Sequence, residues 1–405
     1  MAEPHQYRPL LRNHGGGHAP VSYLELFFDL VYVFAITQLS HFLHDHLSLI
    51  GFVEGLALFL AVWWAWMFTT WSANWANPES LPVRLMLLAL MLLSLLMSIA
   101  LPEAFAGHAL LFAGSYVALQ VGRTLCMALI FGGADPAGRR NMVRIAIWFM
   151  ASAVFWLLGA QQDGAARLGH WLAALAIEYL GPLCYFVLPG LGRSSPADWN
   201  ISGSHMAERA GLFIIIALGE AIVITGSAMG DAPLEPGRII AFLLAFLGSV
   251  LLWWLYFDLG AERGAQHIGN HAQPGRVARN AYTYLHMPIV AGVVVFAVAD
   301  ELLLEHWHES ASKGLIVTQC GRALAFLGSL GLFKRQGSRF GNFPLSHWIG
   351  IALLTLLAVW AWTRPMAALA FAGWSVAALA LVAVWEWGSF HGGWQERWNR
   401  LRRKA

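Results

Sequence analysis

Two acidic side chains lie four residues apart inside a long apolar stretch of this sequence. Glu25 and Asp29 fall in the run that begins at residue 23, and a spacing of four places both on one face of a helix. Carboxylates on one face repel each other unless a cation lies between them or one of them is protonated. The pair, with Gln38 further along the same helix, is therefore a candidate for part of an ion pathway.

Further ionisable residues lie in other apolar stretches. Arg209 and Glu220 are eleven residues apart, about three helical turns, so they share a helix face. Glu220 is expected near the middle of its helix, where a lone carboxyl surrounded by lipid must be paired or protonated. Glu178 raises the same question four residues before Pro182, which removes a backbone hydrogen bond and predicts a kink.

Two arginines occupy matching positions in separate apolar stretches. Arg123 lies in Gln-Val-Gly-Arg-Thr-Leu and Arg322 in Gln-Cys-Gly-Arg-Ala-Leu. Arginine stays protonated in proteins, so each needs an anionic partner or access to water, and Asp29 and Glu220 are natural partners. A charge within a bilayer costs from about 3 to more than 10 kcal/mol, which makes such residues functional candidates. The alternative, buried ion pairs that only hold helices in register, stays open for the arginines and Glu220.

The remaining candidates also allow two interpretations. Glu25 and Glu208 lie near the beginnings of their helices, where either one could simply stabilise the positive helix N-terminus. His205 and His286 are candidates for proton relays or for interfacial histidines whose hydrogen bonds are satisfied. No Walker or HExxH motif occurs, and no set of side chains has metal-ligand spacing. We therefore predict no catalytic residue, no metal and no cofactor.

These residues must be positioned by helices that cross a membrane. The sequence is 58% hydrophobic and only 12% charged, whereas a soluble domain carries about 25% charged residues. A spanning helix needs about 20 mostly apolar residues. About twelve such stretches occur, at residues 23–43, 50–72, 82–101, 108–131, 141–160, 168–190, 205–229, 236–258, 278–302, 314–333, 345–362 and 366–387. The predicted fold is all-α, a polytopic membrane protein.

The distribution of lysine and arginine predicts the orientation. With the N-terminus in the cytoplasm, 19 of the 25 basic residues lie on the cytoplasmic side, four on the other side and two within the spans. Cytoplasmic loops carry such an excess, so both chain ends are expected inside. Residues 1–22 are then a polar cytoplasmic segment, and residues 391–405 a basic cytoplasmic tail at the inner membrane surface. The net charge of +2 gives no basis for binding nucleic acid, so the expected partners are membrane lipid and an ion or small solute.

An internal repeat is predicted from four matches that occur in the same order. Besides the two arginine hexapeptides, the matches pair Trp63-Trp64 with Trp253-Trp254, Arg84 with Arg279, and Pro102-Glu103 with Asp300-Glu301, at offsets of 190 to about 200. Six helices per half would give both halves the same orientation, the parallel-repeat plan of many transporters. We predict a first six-helix repeat over residues 23–204 and a second over 205–390.

Three motifs resemble the patterns of a known membrane-protein family. They are Glu-Leu-Phe-Phe-Asp-Leu-Val at 25–31 with Phe-Ala-Ile-Thr-Gln at 34–38, HxxERxGLFxIIxLGE at 205–220, and Tyr-Leu-His-Met-Pro-Ile-Val at 284–290. The family is the bacterial low temperature requirement A family, and the resemblance covers nearly the whole chain. It implies a multi-pass protein of the bacterial inner membrane and no defined biochemical activity. The first helix is also similar to the Phe-Ser-Asp motif of the lysosomal-type potassium and proton channel family, with Phe28 in place of the serine.

Three classes of function are compatible with these features. Transport of an ion or small solute between the halves is favoured by the duplicated helices and the intramembrane charges. A membrane-embedded enzyme acting on a lipid or isoprenoid would need a polar cluster with metal ligands, which the sequence does not offer. A non-catalytic membrane protein for envelope or cold adaptation would carry its charges fully paired and closed off from water. We therefore predict a transporter or channel and not an enzyme.

Overall fold

The computed structural model describes residues 9–12, 20–195, 202–230, 233–258, 279–336 and 343–390. In those ranges the regular elements are helices, and pairing between extended segments is limited to isolated bridges. Among the described residues, eleven helices are long and apolar enough to cross a membrane. The prediction of an all-α polytopic membrane protein is therefore confirmed. The orientation stays a prediction, and the basic tail at 391–405 and most of segment 1–22 lie outside the described residues.

Six α-helices form the first half of the described chain. They are α1 (Tyr23–Asp45), α2 (Leu49–Trp75), α3 (Leu81–Ala100), α4 (Ala109–Phe131), α5 (Pro136–Gly159) and α6 (Gly164–Leu183). Six more follow: α7 (Gly203–Gly230), α8 (Pro236–Phe257), α9 (His286–Glu305), α10 (Lys313–Gln336), α11 (Leu345–Thr363) and α12 (Ala368–Phe390). A π-helical turn, Arg279–Leu285, runs directly into α9. Of these helices only α6, which carries Arg167 and Glu178, is not among the eleven candidate spans.

The chain divides into two compact units. The first comprises Met1–Arg209 with Ile268–Arg279, and the second comprises Ala210–His267 with Asn280–Ala405. Helix α7 therefore contributes its first residues, up to Arg209, to the first unit and the rest to the second. The two predicted repeats, 23–204 and 205–390, stay a prediction.

Several helix pairs pack in corresponding ways inside the two units. In the first unit α3 packs on α4, α4 on α5, α5 on α6, and α6 on α2. The corresponding helices of the second unit pack in the same way. There α9 packs on α10, α10 on α11, α11 on α12, and α12 on α8. The first unit differs in that α1 packs on both α2 and α3.

Helix α6 ends earlier than the sequence predicts. The expected span was 168–190, but the helix ends at Leu183, one residue after Pro182. The next residues Tyr185 and Phe186 adopt φ angles of 54° and 46°, and the backbone N–H of Phe186 donates to the carbonyl of Gly181 (2.8 Å). These left-handed conformations close the helix, so Pro182 marks a helix end and not the predicted kink.

Candidate functional site

Glu25 is both a helix cap and the first member of a buried charged cluster. The backbone N–H and the hydroxyl of Ser22 each donate to Glu25 Oε2 (2.8 Å), and the Ser22 hydroxyl accepts from the backbone N–H of Glu25. This reciprocal arrangement is a capping box that stabilises the start of α1. Arg12 Nη2 donates to the same carboxylate oxygen (2.7 Å). Stabilisation of the helix N-terminus, one of the two interpretations of Glu25, is thus present, and the other carboxylate oxygen faces α7.

His205 on α7 connects Glu25 to helix α2. Its Nε2 lies 2.8 Å from Glu25 Oε1, and its Nδ1 lies 3.1 Å from the side-chain amide nitrogen of Asn74. The orientation of this amide is set by Ser202, whose backbone N–H donates to the Asn74 oxygen and whose carbonyl accepts from the nitrogen (both 3.0 Å). Because Asn74 donates to Nδ1, the proton of a neutral His205 is on Nε2 and is donated to Glu25.

Arg209 lies between the two carboxylates of α1. Its Nη2 donates to Asp29 Oδ1 (2.6 Å), and its Nη1 lies 3.4 Å from Glu25 Oε1. Trp66 Nε1 donates to the same Asp29 oxygen (2.8 Å), and Thr70 accepts from Arg209 (3.4 Å). The cation required between two carboxylates on one helix face is therefore an arginine of the chain itself.

This cluster is buried but not fully paired. Glu25, Asp29 and His205 are 0% exposed, and Arg209 is 1% exposed. Within the described residues, Asp29 Oδ2 and Arg209 Nε have no hydrogen-bond partner. Most buried polar atoms in proteins have a hydrogen-bond partner, because each unsatisfied one costs about 1–3 kcal/mol. The cluster thus retains one free acceptor and one free donor inside the unit.

Arg123 is not held by the acid that the sequence suggested. In the described part of the first unit its hydrogen bonds from Nη1 go to the Thr69 hydroxyl (3.3 Å) and to a backbone carbonyl of α2 (3.4 Å). Its guanidinium carbon lies 5.2 Å from the ring centroid of Phe68 and 5.7 Å from that of Phe149. The expected pairing with Asp29 is wrong, since the hydrogen-bonded partner of Asp29 is Arg209.

Glu178 lies in a cage of three donors where α4, α5 and α6 meet. One carboxylate oxygen accepts from the Tyr116 hydroxyl, and the other contacts the Ser152 hydroxyl (2.7 Å) and accepts from Trp156 Nε1 (2.9 Å). Gln120 Nε2 in turn donates to the Tyr116 hydroxyl (2.9 Å). Glu178 is 2% exposed, and these three donors and the electrostatic interaction with Arg123 on α4 stabilise the charged form of its carboxyl group.

Among the described residues, Arg322 in the second unit is bonded to a carboxylate and Arg123 is not. Its Nη1 lies 3.3 Å from Asp300 Oδ1 and donates to the backbone carbonyl of Phe296 (3.2 Å). The guanidinium carbon is 3.4 Å from the Phe296 ring centroid. Gly292 makes the close approach of α9 and α10 possible, since a Cβ there would lie 3.0 Å from the carbonyl oxygen of Arg322. The suggested partner Glu220 is thus replaced by Asp300.

The other predicted residues are dispersed over the two units. Gln38 is half-buried on α1, and Glu208 accepts a hydrogen bond from the backbone N–H of Val21 (3.3 Å). Glu220 is buried in the second-unit part of α7, at 7% exposure. His286 is fully buried, and its ring nitrogens lie 2.8 Å from the Tyr256 hydroxyl and 2.8 Å from a backbone carbonyl. Both ring nitrogens of His286 are therefore satisfied, as in the second interpretation of this residue.

A charged cluster in the second unit was missed by the sequence reasoning. Lys334 Nζ donates to Glu386 Oε2 (2.5 Å) and to the carbonyl of Leu255 (2.9 Å). His347 Nε2 lies 2.9 Å from the other oxygen of Glu386, and its Nδ1 lies 2.8 Å from the carbonyl of Leu327. Both oxygens of Glu386 are hydrogen-bonded. The triad of Lys334, His347 and Glu386 therefore holds α10, α11 and α12 together.

Some of the missed residues carried a usable signal. Glu386 is a carboxylate inside the predicted span 366–387, so the rule applied to Glu178 would have found it. Asp300 was considered only as a helix end. Trp66 gave no signal, since its indole belongs to a tryptophan-rich run that is typical of packing and membrane interfaces.

Comparison with known proteins gives a consistent family match. The family described as bacterial low temperature requirement A protein (LtrA) matches residues 20–384. An uncharacterized protein of Rhizobium meliloti (strain 1021) is 39% identical over 355 residues, which cover 88% of this chain and 86% of that protein. No solved structure matches the chain. The matched range includes Glu25, Asp29, His205 and Arg209, whereas Arg12 and Glu386 lie outside it.

Proposed function

This chain belongs to the bacterial low temperature requirement A family, and from that premise we propose that it is a transporter or channel of the bacterial inner membrane. It moves an ion or a small solute, and the buried charges of the first unit form part of the path. The multi-pass helical architecture is that of a membrane protein from a bacterial family, and the inner membrane is part of the proposal.

The incompletely paired cluster on α1 and α7 carries the proposal. Four ionisable groups, Glu25, Asp29, His205 and Arg209, are all at most 1% exposed within a set of apolar helices. Ionisable residues at membrane depth are costly and mark ion or substrate paths in most membrane proteins. The free oxygen of Asp29 and the free Nε of Arg209 give this cluster capacity to bind a further group.

The experiment that tests this proposal is ion flux into proteoliposomes. Purified protein is reconstituted, and uptake of Na⁺, K⁺ and H⁺ is followed under imposed gradients for the native protein and for Asp29→Asn. We expect flux above that of protein-free liposomes for at least one ion, and a loss of about 100-fold in the variant because a positioned ionisable group is removed. Glu386→Gln is the matched control, since it removes a buried carboxylate of the fully engaged triad.

The alternative role as a non-catalytic membrane protein predicts a different outcome. In that case neither the native protein nor the variants would exceed protein-free liposomes, although thermal unfolding in detergent shows all of them to be folded. Flux that is equal in the native protein and in folded Asp29→Asn would remove Asp29 from the path.

A further inference from the structure

The glutamine of each arginine hexapeptide is bonded in the same incomplete way. Gln120 Nε2 donates to the Tyr116 hydroxyl (2.9 Å), and Gln319 Nε2 donates to the Ser375 hydroxyl (2.7 Å). Both side chains are at most 2% exposed. In the described ranges of both units, the Oε1 atom of each glutamine lacks a hydrogen-bond partner. Each unit thus presents one buried acceptor one helical turn from its arginine.

Two charged residues of the first unit also have a free polar atom, as Asp300 does in the second unit. Arg123 Nη2 and Asp29 Oδ2 also have no partner in the part of the chain that the structure describes. Asp29 is six residues from the predicted cytoplasmic end of α1, and Arg123 and Gln120 are eight and eleven residues from that end of α4. At about 1.5 Å per residue these positions lie about 9, 12 and 16 Å from the cytoplasmic helix ends.

The first unit has two hydrogen-bonded groups, one around each of the two carboxylates. On one side Asp29 is joined through Arg209 to Glu25, which lies at the beginning of α1. On the other side Gln120 is joined through Tyr116 to Glu178. The consecutive residues Thr70 and Thr69 of α2 accept hydrogen bonds from Arg209 and from Arg123, so α2 contacts both arginines. The described hydrogen bonds do not connect Asp29 with Glu178, but Arg123 interacts electrostatically with Glu178, and Tyr32 interacts with both Arg123 and Asp29.

We infer that the species moved through the first unit is a proton, which passes between Asp29 and Glu178 along water bound at Gln120 Oε1 and Arg123 Nη2. This inference rests on the proposed transport function and names its substrate. Buried polar atoms without a protein partner are the usual binding positions of internal water, and one water accepts from a guanidinium and donates to an amide oxygen. Carboxylates joined in this way form the proton relays of many membrane proteins.

Each transfer conserves protons. The carboxyl group of Glu178 gives its proton to the hydroxyl oxygen of Tyr116 and becomes a carboxylate. The Tyr116 hydroxyl gives its own proton to the water, and that water gives a proton to the Asp29 carboxylate. Arg123 remains protonated and does not carry the proton. The ionisable groups that face Glu178 are Tyr116 and Arg123 from α4, whereas α5 contributes the neutral donors Ser152 and Trp156. Asp29 is faced by Arg209 from α7, with Glu25 one turn away on its own helix.

The second unit lacks the parts that this route requires. Gln319 is bonded to Ser375, not to a tyrosine that reaches a second carboxylate. Arg322 is neutralised directly by Asp300. The second hexapeptide therefore provides a matched control within the same molecule.

The test is proton flux into proteoliposomes that contain a trapped pH dye, measured under an imposed pH difference with a K⁺ ionophore for charge compensation. We expect Glu178→Gln to lower the proton flux about 100-fold, since a relay group is removed. Gln120→Leu should also lower it about tenfold or more, whereas Gln319→Leu and Glu386→Gln should stay within about twofold of the native protein. If Glu178→Gln does not fold, Tyr116→Phe decides, because it keeps the ring and removes the hydroxyl that reaches Glu178.

Three outcomes separate this inference from the proposed function. Native proton flux with equal losses in the Gln120 and Gln319 variants, or with none in Glu178→Gln and Tyr116→Phe, overturns the proton route. Native uptake of Na⁺ or K⁺ without any proton flux overturns the proton as substrate and leaves transport standing. No flux of any ion from folded protein overturns both.

Discussion

Arg123 and Arg322 occupy equivalent positions in two similar hexapeptides, yet the two units bury them differently. Arg322 has the carboxylate of Asp300 at 3.3 Å and the Phe296 ring at 3.4 Å. Arg123 is hydrogen-bonded to the Thr69 hydroxyl and a carbonyl, with two phenyl rings more than 5 Å away. The second unit thus holds a neutral ion pair, whereas Arg123 is hydrogen-bonded to no acid in the part of the chain that the structure describes.

This difference separates a structural charge from a functional one. A directly paired arginine holds two helices together, and breaking such a pair costs about 3–5 kcal/mol because a charge is left buried and alone. An arginine that is bonded only to neutral groups can keep an N–H free to donate to water or a ligand. Among the described residues, Arg123 Nη2 is such a free donor. In the proposed function, the same motif stabilises one unit and serves transport in the other.

The largest expected effect comes from breaking the ion pair of the second unit. Arg322→Leu leaves Asp300 buried without its partner and should lower the free energy of unfolding by about 3–5 kcal/mol. Thermal and denaturant unfolding in detergent measures this loss. The double variant Arg322→Leu/Asp300→Leu should recover most of the stability, and a double variant as unstable as the single one would show that the pair is not the cause.

The matching change in the first unit should be milder for stability. Arg123→Leu removes a cation without leaving a directly bonded carboxylate alone, so we expect a loss of about 1–2 kcal/mol. The same unfolding measurement compares it with Arg322→Leu. Equal losses of stability in the two variants would show that the two arginines are held in equivalent ways.

Thr69 tests how the first arginine is held. Thr69→Val keeps the side-chain volume and removes the hydroxyl that accepts from Arg123, which should cost about 1.5 kcal/mol because a hydrogen bond to a charged group is lost. A double-mutant cycle with Arg123→Leu isolates the interaction. A coupling free energy near zero would mean that the hydroxyl does not hold the guanidinium.

The smallest expected effect concerns the aromatic contact of Arg322. Phe296→Leu removes the ring that the guanidinium stacks on, and beyond the loss of apolar area this should cost about 0.5–1 kcal/mol. Phe149→Leu is the matched control, since that ring lies 5.7 Å from Arg123. The coupling of Phe296 to Arg322 in a double-mutant cycle should exceed the coupling of Phe149 to Arg123.

Helix placement and candidate residues were accessible from the sequence because both depend on local composition. Apolar runs predicted twelve helices. The high free-energy cost of a charge inside a bilayer identified Asp29, Arg209 and Glu178 as candidates. The partners were not accessible, since pairing depends on which helix faces meet in space. Asp29 is joined to Arg209, 180 residues away, and the Asn74 amide that orients His205 is 131 residues from it.

The end of α6 shows a second limit of the sequence. Pro182 is compatible with a kink or with a helix end, and the choice depends on where the following residues pack. Phe186 is buried, and its backbone N–H closes the helix on Gly181. The left-handed φ angles of Tyr185 and Phe186 are rare for such residues and could not be anticipated from their types.

The most direct test of the account compares Asp29→Asn with Asp300→Asn in the same proteoliposome flux measurement. Both aspartates are buried, both are bonded to an arginine through one oxygen, and among the described residues both have a second oxygen without a partner. The account predicts that Asp29→Asn loses about 100-fold of the ion flux, whereas folded Asp300→Asn keeps flux close to that of the native protein. Equal losses in the two variants, or a loss only in Asp300→Asn, would contradict the assignment of transport to the first unit.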